Sequence, residues 1–160
     1  MTQIVVVSGN PRAGSRTSAL AIAVGDAVAA RAGRGTPSVI EVGALGTGLL
    51  TPGDAATADA VALLQAADIL VVATPTYKGS YTGVLKVLLD QLPANALAGK
   101  RAVPVVTAGV APQAAAAEAL LRQLLTELGA AVLAPGLPVV EAELPESAAI
   151  AEKYAAARDW

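Results

Sequence analysis

The stretch Ile4-Val5-Val6-Val7-Ser8-Gly9-Asn10-Pro11-Arg12-Ala13-Gly14-Ser15-Arg16-Thr17 decides how this chain folds. Four β-branched apolar residues in a row predict a strand buried on both faces, as in a parallel sheet. A turn of hydroxyls, small residues and arginines follows, and then an Ala/Leu-rich segment with helical composition. A helix start leaves its first N–H groups unpaired and exposes the positive end of its dipole, which makes it a natural seat for an anion. Ser8, Ser15, Thr17 and Ser18, with the guanidiniums of Arg12 and Arg16, add donors suited to a phosphate.

Two phosphate motifs are excluded by single residues. Gly9 and Gly14 stand at the glycine spacing of a nucleotide P-loop, but Ser15 holds the lysine position and Arg16 the Ser/Thr position. The dinucleotide fingerprint fails because Pro11 sits where its second glycine lets a pyrophosphate approach. A single terminal phosphate, as in FMN, suits such a loop. Taken alone, the loop also fits an ordinary strand-to-helix turn with a serine cap and solvated arginines.

Outward from this stretch, Val/Ile-rich runs alternate with Ala/Leu segments of helical period, which predicts a doubly wound α/β fold with helices on both faces of a parallel sheet. Strands are expected at Gln3 to Val7, Ser38 to Val42, Ile69 to Thr74, Ala102 to Val106 and Leu137 to Glu141. Helices are expected at Thr17 to Ala32, Asp54 to Ala67, Ser80 to Leu92, Pro112 to Gly129, and Pro145 to about Arg158. Leu85, Leu88, Leu89 and Leu92 fall on one face of the third helix, with Lys86 and Asp90 paired on the other. Pro104 conflicts with its strand because it removes a ladder donor, whereas Pro135 and Pro138 suit an edge strand. Gly43 to Gly53 reads as a surface loop with no chemistry. No repeat or linker divides the chain, so residues 1–160 form a single expected domain.

Composition removes many functions. There is no cysteine and no histidine, which excludes disulfides, thiolate nucleophiles, Ser-His-Asp triads and the usual zinc sites. A net charge of −2 and an aromatic content of 2% argue against nucleic-acid surfaces, whether basic or stacking. The charge-free stretch Ala102 to Ala117 contains proline, threonine and glutamine, so it reads as buried strand, loop and helix start rather than a membrane span. With no basic leader before the first strand, a cytoplasmic protein is expected. Chemistry must come from a cofactor or from Lys, Arg, Tyr, Ser, Thr and carboxylates.

In an open parallel sheet, ligands bind beyond the carboxyl ends of the strands. The third strand ends in Thr74-Pro75-Thr76-Tyr77-Lys78-Gly79-Ser80-Tyr81-Thr82-Gly83, a loop of glycines, tyrosines and hydroxyls suited to the edge and face of a planar ring. A turn capped by Ser80 is the plainer alternative. The fourth strand runs into Thr107-Ala108-Gly109-Val110-Ala111, where Gly109 permits close backbone approach or serves the turn alone.

Ser8 to Thr17 resembles the S-G-S-P-R-x-x-S-x-T phosphate loop of the NADPH-dependent FMN reductases, with Asn10 in place of the second serine. Thr74 to Pro93, T-P-T-Y-K-G-S-Y-T-G-V-L-K-V-L-L-D-Q-L-P, is similar to the second signature of that family over its whole length, and Ala96 to Lys100 fits as well. The resemblance implies a flavodoxin-like five-stranded sheet of order 2-1-3-4-5. It also implies FMN, with hydride transfer from NADPH or NADH to flavin N5. By that carry-over Ser8, Arg12, Ser15 and Thr17 hold the phosphate, helped by Asn10 and Arg16. Pro75, Thr76, Tyr77, Lys78, Gly79 and Ser80 run along the ring, and Thr107 and Gly109 approach its far edge. The family has two glycines after that threonine, where this chain has Ala108, Gly109 and then Val110. No catalytic side chain and no metal are expected. A homodimer or homotetramer through the third helix, with Tyr81 and its leucine face, and a flavin-dependent monooxygenase as partner are further implications. An FMN-retaining quinone or azo reductase and a flavodoxin-like electron carrier remain alternatives.

Overall fold

The computed structural model describes residues 2–160. Six parallel strands form one sheet: β1 (Ile4–Ser8), β2 (Ser38–Glu41), β3 (Ile69–Pro75), β4 (Arg101–Ala108), β5 (Ala131–Val132) and β6 (Leu137–Val140). The order is β2-β1-β3-β4-β5, with β6 also on β4. Order and class match the sequence expectation. The fifth position, expected as one strand, holds two in series: β5 pairs with Arg101 and Ala102, and β6 with Val105 to Ala108.

Pro104 explains the break. The N–H and C=O of one strand residue point to the same side, and Ala102 O accepts from Leu133 N–H on the β5 side. Two residues on, Pro104 faces that side without a donor, between the end of β5 and the start of β6. Its pairing with Val72 on β3 is undisturbed.

Strand alternation sorts the core into two layers. Val5, Val7, Leu70, Val72, Ala102 and Val106 face α3 (Ala55–Ala66), α4 (Gly83–Leu89) and α5 (Ala111–Glu127). Ile4, Val6, Ile69, Val71, Val103 and Val105 face α1 (Arg16–Arg31) and α6 (Ser147–Ala156). Leu85, Leu88, Leu89 and Leu92 are buried, and Lys86 Nζ meets Asp90 Oδ1 at 2.7 Å, as their spacing predicts.

Three expectations are corrected. Residues 43–53 are not plain loop: a short helix α2 (Val42–Leu45) and a 3-10 turn (Gly46–Leu50) bury Val42 and Leu49 and lead to Asp54, which caps α3. The Thr57 amide and hydroxyl both donate to the Asp54 carboxylate and hold its pKa below the ordinary value. The third helix starts at Gly83 rather than Ser80, because the Ser80 N–H is spent on Tyr77 O and the Thr82 hydroxyl supplies the cap. It also ends earlier, at Leu89, where Gln91 and Leu92 bond back three residues and Pro93 prevents continuation. The last helix begins at Ser147, after a 3-10 turn over Glu141–Glu146. No helix among the described residues is long and apolar enough to cross a membrane.

Candidate functional site

The loops after β1, β3 and β4 meet where strand order reverses, the usual ligand crevice of such sheets. The first leaves β1 at Ser8, in register with Glu41 on β2 and Ala73 on β3. Gly9 donates to Ala73 O at 2.7 Å and lies so close to α4 that a Cβ would sit 2.8 Å from Leu85 Cβ. Asn10 Oδ1 accepts the Arg12 N–H at 2.9 Å, which folds the turn. Ser15 caps α1 by accepting the Ser18 N–H at 3.1 Å, and helix geometry then leaves the Arg16 and Thr17 N–H groups unpaired.

Behind this turn lies a buried hydroxyl cluster. Ser18 Oγ is 2.6 Å from Ser8 Oγ and 3.1 Å from Ser15 Oγ, and it donates to Glu41 Oε1 at 2.5 Å. The other Glu41 oxygen accepts the Gly14 N–H at 2.5 Å. The segment after β2 also presses on the loop backbone, since a Cβ on Gly43 would lie 2.2 Å from Pro11 O.

The second loop holds itself. Tyr77 and Ser80 exchange backbone hydrogen bonds of 2.9 and 3.2 Å around Lys78 (φ 52°) and Gly79 (φ 80°). Positive φ at both central residues is the type I′ hairpin turn, natural for glycine and strained for lysine. Tyr77 is 49% exposed.

Threonines, all but Thr76 buried, fasten the loops together. Thr82 Oγ1 donates to Gly9 O at 2.6 Å and accepts the Leu85 N–H at 3.2 Å, and the Thr82 N–H donates to Thr74 Oγ1 at 3.1 Å. Thr76 Oγ1 donates to Thr107 O at 2.9 Å, while the Thr107 hydroxyl lies 3.1 Å from that of Thr17.

A cleft of about 150 Å³ opens between the loops. Asn10, Arg12, Ser15, Arg16 and Thr17 form one wall, and Pro75, Tyr77 and Thr107 the other. Glu141 and Leu144, from the turn after β6, close it. Ser8 and Thr76 stand outside this lining, Lys78, Gly79 and Ser80 make the hairpin, and Gly109 is exposed beyond β4. Arg16 Nη2 and Glu141 Oε2 lie 3.8 Å apart with both side chains more than half exposed, a pair of little energetic weight. A larger groove of about 520 Å³ between residues 49–58 and α4 includes none of the three loops.

Sequence reasoning missed Glu41, Gly43 and Thr82, and placed Ser18 among the loop hydroxyls without assigning it a contact. Glu41 becomes visible only through the Ser8–Glu41 register. Leu144 and Glu141 arrive from the far end of the chain.

Together the sheet order and the donor-rich turn define a flavodoxin-like α/β protein whose cleft suits a phosphate-bearing ligand. The family model for NADPH-dependent FMN reductase matches residues 2–143, and the chain belongs to that family. It is 45% identical over 74 residues to "FMN reductase (NADPH)" of Escherichia coli K12, covering 46% of this chain and 39% of that one. It therefore spans about two fifths of that relative. "NADH-dependent FMN reductase SfnF" of Pseudomonas putida is 35% identical over 140 residues, covering 84% of this chain and 75% of that one. Among solved structures, apo NADH:FMN oxidoreductase (EMOB) superposes with a TM-score of 0.83 at 31% identity, covering 98% of this chain and 90% of that one.

Proposed function

We propose that the chain is an NAD(P)H-dependent FMN reductase. The observation that carries the proposal is the convergence of Arg12, Ser15 and Thr17 with Pro75, Tyr77 and Thr107 on one cleft at the strand switch point. The chemistry of the donors fits FMN: the free Arg16 and Thr17 amides, the Ser15 and Thr17 hydroxyls and Arg12 match a phosphate monoester. Asn10 fixes the turn that presents Arg12. Ser8 acts through Ser18 rather than from the cleft wall.

FMN held in this cleft would supply the acceptor for a hydride from the nicotinamide of NADPH or NADH. The protein supplies position. Pro75, Thr76 and Tyr77 form the shelf for the ring, with Lys78, Gly79 and Ser80 as its turn and Thr107 and Gly109 toward its far edge. Thr76 holds Thr107 by its carbonyl, so the two sides of the shelf move together. No side chain needs to move a proton, in keeping with a chain free of histidine and cysteine.

The names of the relatives mention both NADPH and NADH, so either nucleotide is a co-substrate in this proposal. We further propose a cytoplasmic homodimer or homotetramer that hands reduced flavin to a flavin-dependent monooxygenase. The direct test is oxidation of NADPH and of NADH with and without added FMN, beside the visible spectrum of the purified protein. Acceleration by FMN is expected. A loaded protein that fails to bleach with either nucleotide removes the reductase assignment.

A further inference from the structure

Glu41 faces the back of the anion loop, where a carboxylate opposes a phosphate ligand, and it has no place in the function proposed so far. Its bonding fixes the direction of every proton in the hydroxyl cluster. The ionised carboxylate only accepts, so the single Ser18 proton points at Glu41 Oε1. Ser18 Oγ is left with two lone pairs, and the hydroxyls at 2.6 and 3.1 Å must be the donors that fill them. The protons of Ser8 and Ser15 therefore both point inward at Ser18. Ser15 Oγ already accepts the Ser18 N–H, so what it turns to the cleft is a lone pair. The same carboxylate occupies the Gly14 N–H, a donor on the loop itself.

On the premise that FMN is the ligand, we infer that Glu41 sets the affinity of the loop for the flavin phosphate by polarising Ser8, Ser15 and Ser18 away from it. An arriving phosphate must turn the Ser15 hydroxyl around, breaking its bond to Ser18, while a fixed negative charge stands behind. Riboflavin, without a phosphate, meets none of this. The consequence is a weaker hold on the phosphate than the same loop would have without Glu41. Glu41 acts through the serines and is a positioning residue.

Glu41→Gln reverses the polarity without changing shape. Its amide donates to Ser18 Oγ and still accepts from Gly14, so it fills one of the two lone pairs that Ser8 and Ser15 had filled, and their competition for the other loosens the inward hold on the Ser15 proton. Dissociation constants for FMN and for riboflavin, from flavin fluorescence quenching, are measured on the native protein, Glu41→Gln and Glu41→Ala. FMN is expected to bind Glu41→Gln about tenfold more tightly, with riboflavin unchanged. Glu41→Ala, which frees the Gly14 N–H and removes the charge, shifts in the same direction. Unchanged or weaker FMN binding in both variants, or equal shifts for the two flavins, overturns the role of Glu41. FMN failing to bind the native protein and both variants overturns the premise instead, and the role with it. Melting temperatures of the three proteins without ligand separate a folding defect from a change at the loop.

Discussion

The loops after β1 and β3 lie side by side yet are built on opposite plans. The first is held from outside: Glu41, Ser18, Gly43 and Thr82, from three other parts of the chain, fix its backbone and hydroxyls. The second is held chiefly from within, by two backbone bonds across a strained Lys78-Gly79 turn, with one outward tie from Thr76 to Thr107 O, and leaves Tyr77 half exposed. Under the proposed function the difference has a reason: a phosphate demands donors at fixed points, whereas a flat ring tolerates sliding against a hairpin.

Thr82 is where the two plans join, and Thr82→Val is expected to have the largest effect. It leaves the buried Gly9 carbonyl and Leu85 amide unpaired, at a combined cost of about 3 kcal/mol in stability by chemical denaturation. A loss below about 1 kcal/mol would show that the loops are not coupled there. Arg12→Ala comes next. It should weaken FMN by about 1.5 kcal/mol, the lower end for a charge-assisted bond because Arg12 is exposed, and leave riboflavin unaffected. Equal losses for both flavins would take Arg12 off the phosphate. The smallest change is Lys78→Gly, which relieves the positive φ against the greater chain entropy of glycine and should raise stability by about 0.5 kcal/mol. If Lys78 also reaches the ring, flavin affinity falls while stability rises, a divergence that calorimetry and fluorescence read separately.

Much of this was legible in the sequence, for a local reason. β1, β3 and β4 are continuous apolar runs, and the loops after them carry their polar residues in one stretch. Ser15 and Thr17 are separated by one residue at a helix start, so local geometry alone puts them on the same wall. Glu41 was not legible, because it stands 27 residues from Gly14 and meets it only through parallel strand register. Thr82 was hidden inside what looked like continuous helix; only the backbone bonds of the hairpin show why the helix waits for it. Pro104 signalled trouble at the right place, and its meaning came from the neighbours, two short strands parted where its ring lies.

That parting has a consequence for the molecule in a crowded solution. One border of the sheet offers a two-residue and a four-residue segment, the second containing Pro138, and the opposite border, β2, offers four residues. Neither margin presents a run of backbone long enough to template a foreign strand, so a protein with a 54% hydrophobic composition is guarded against stacking into fibrils by the brevity of its own rims.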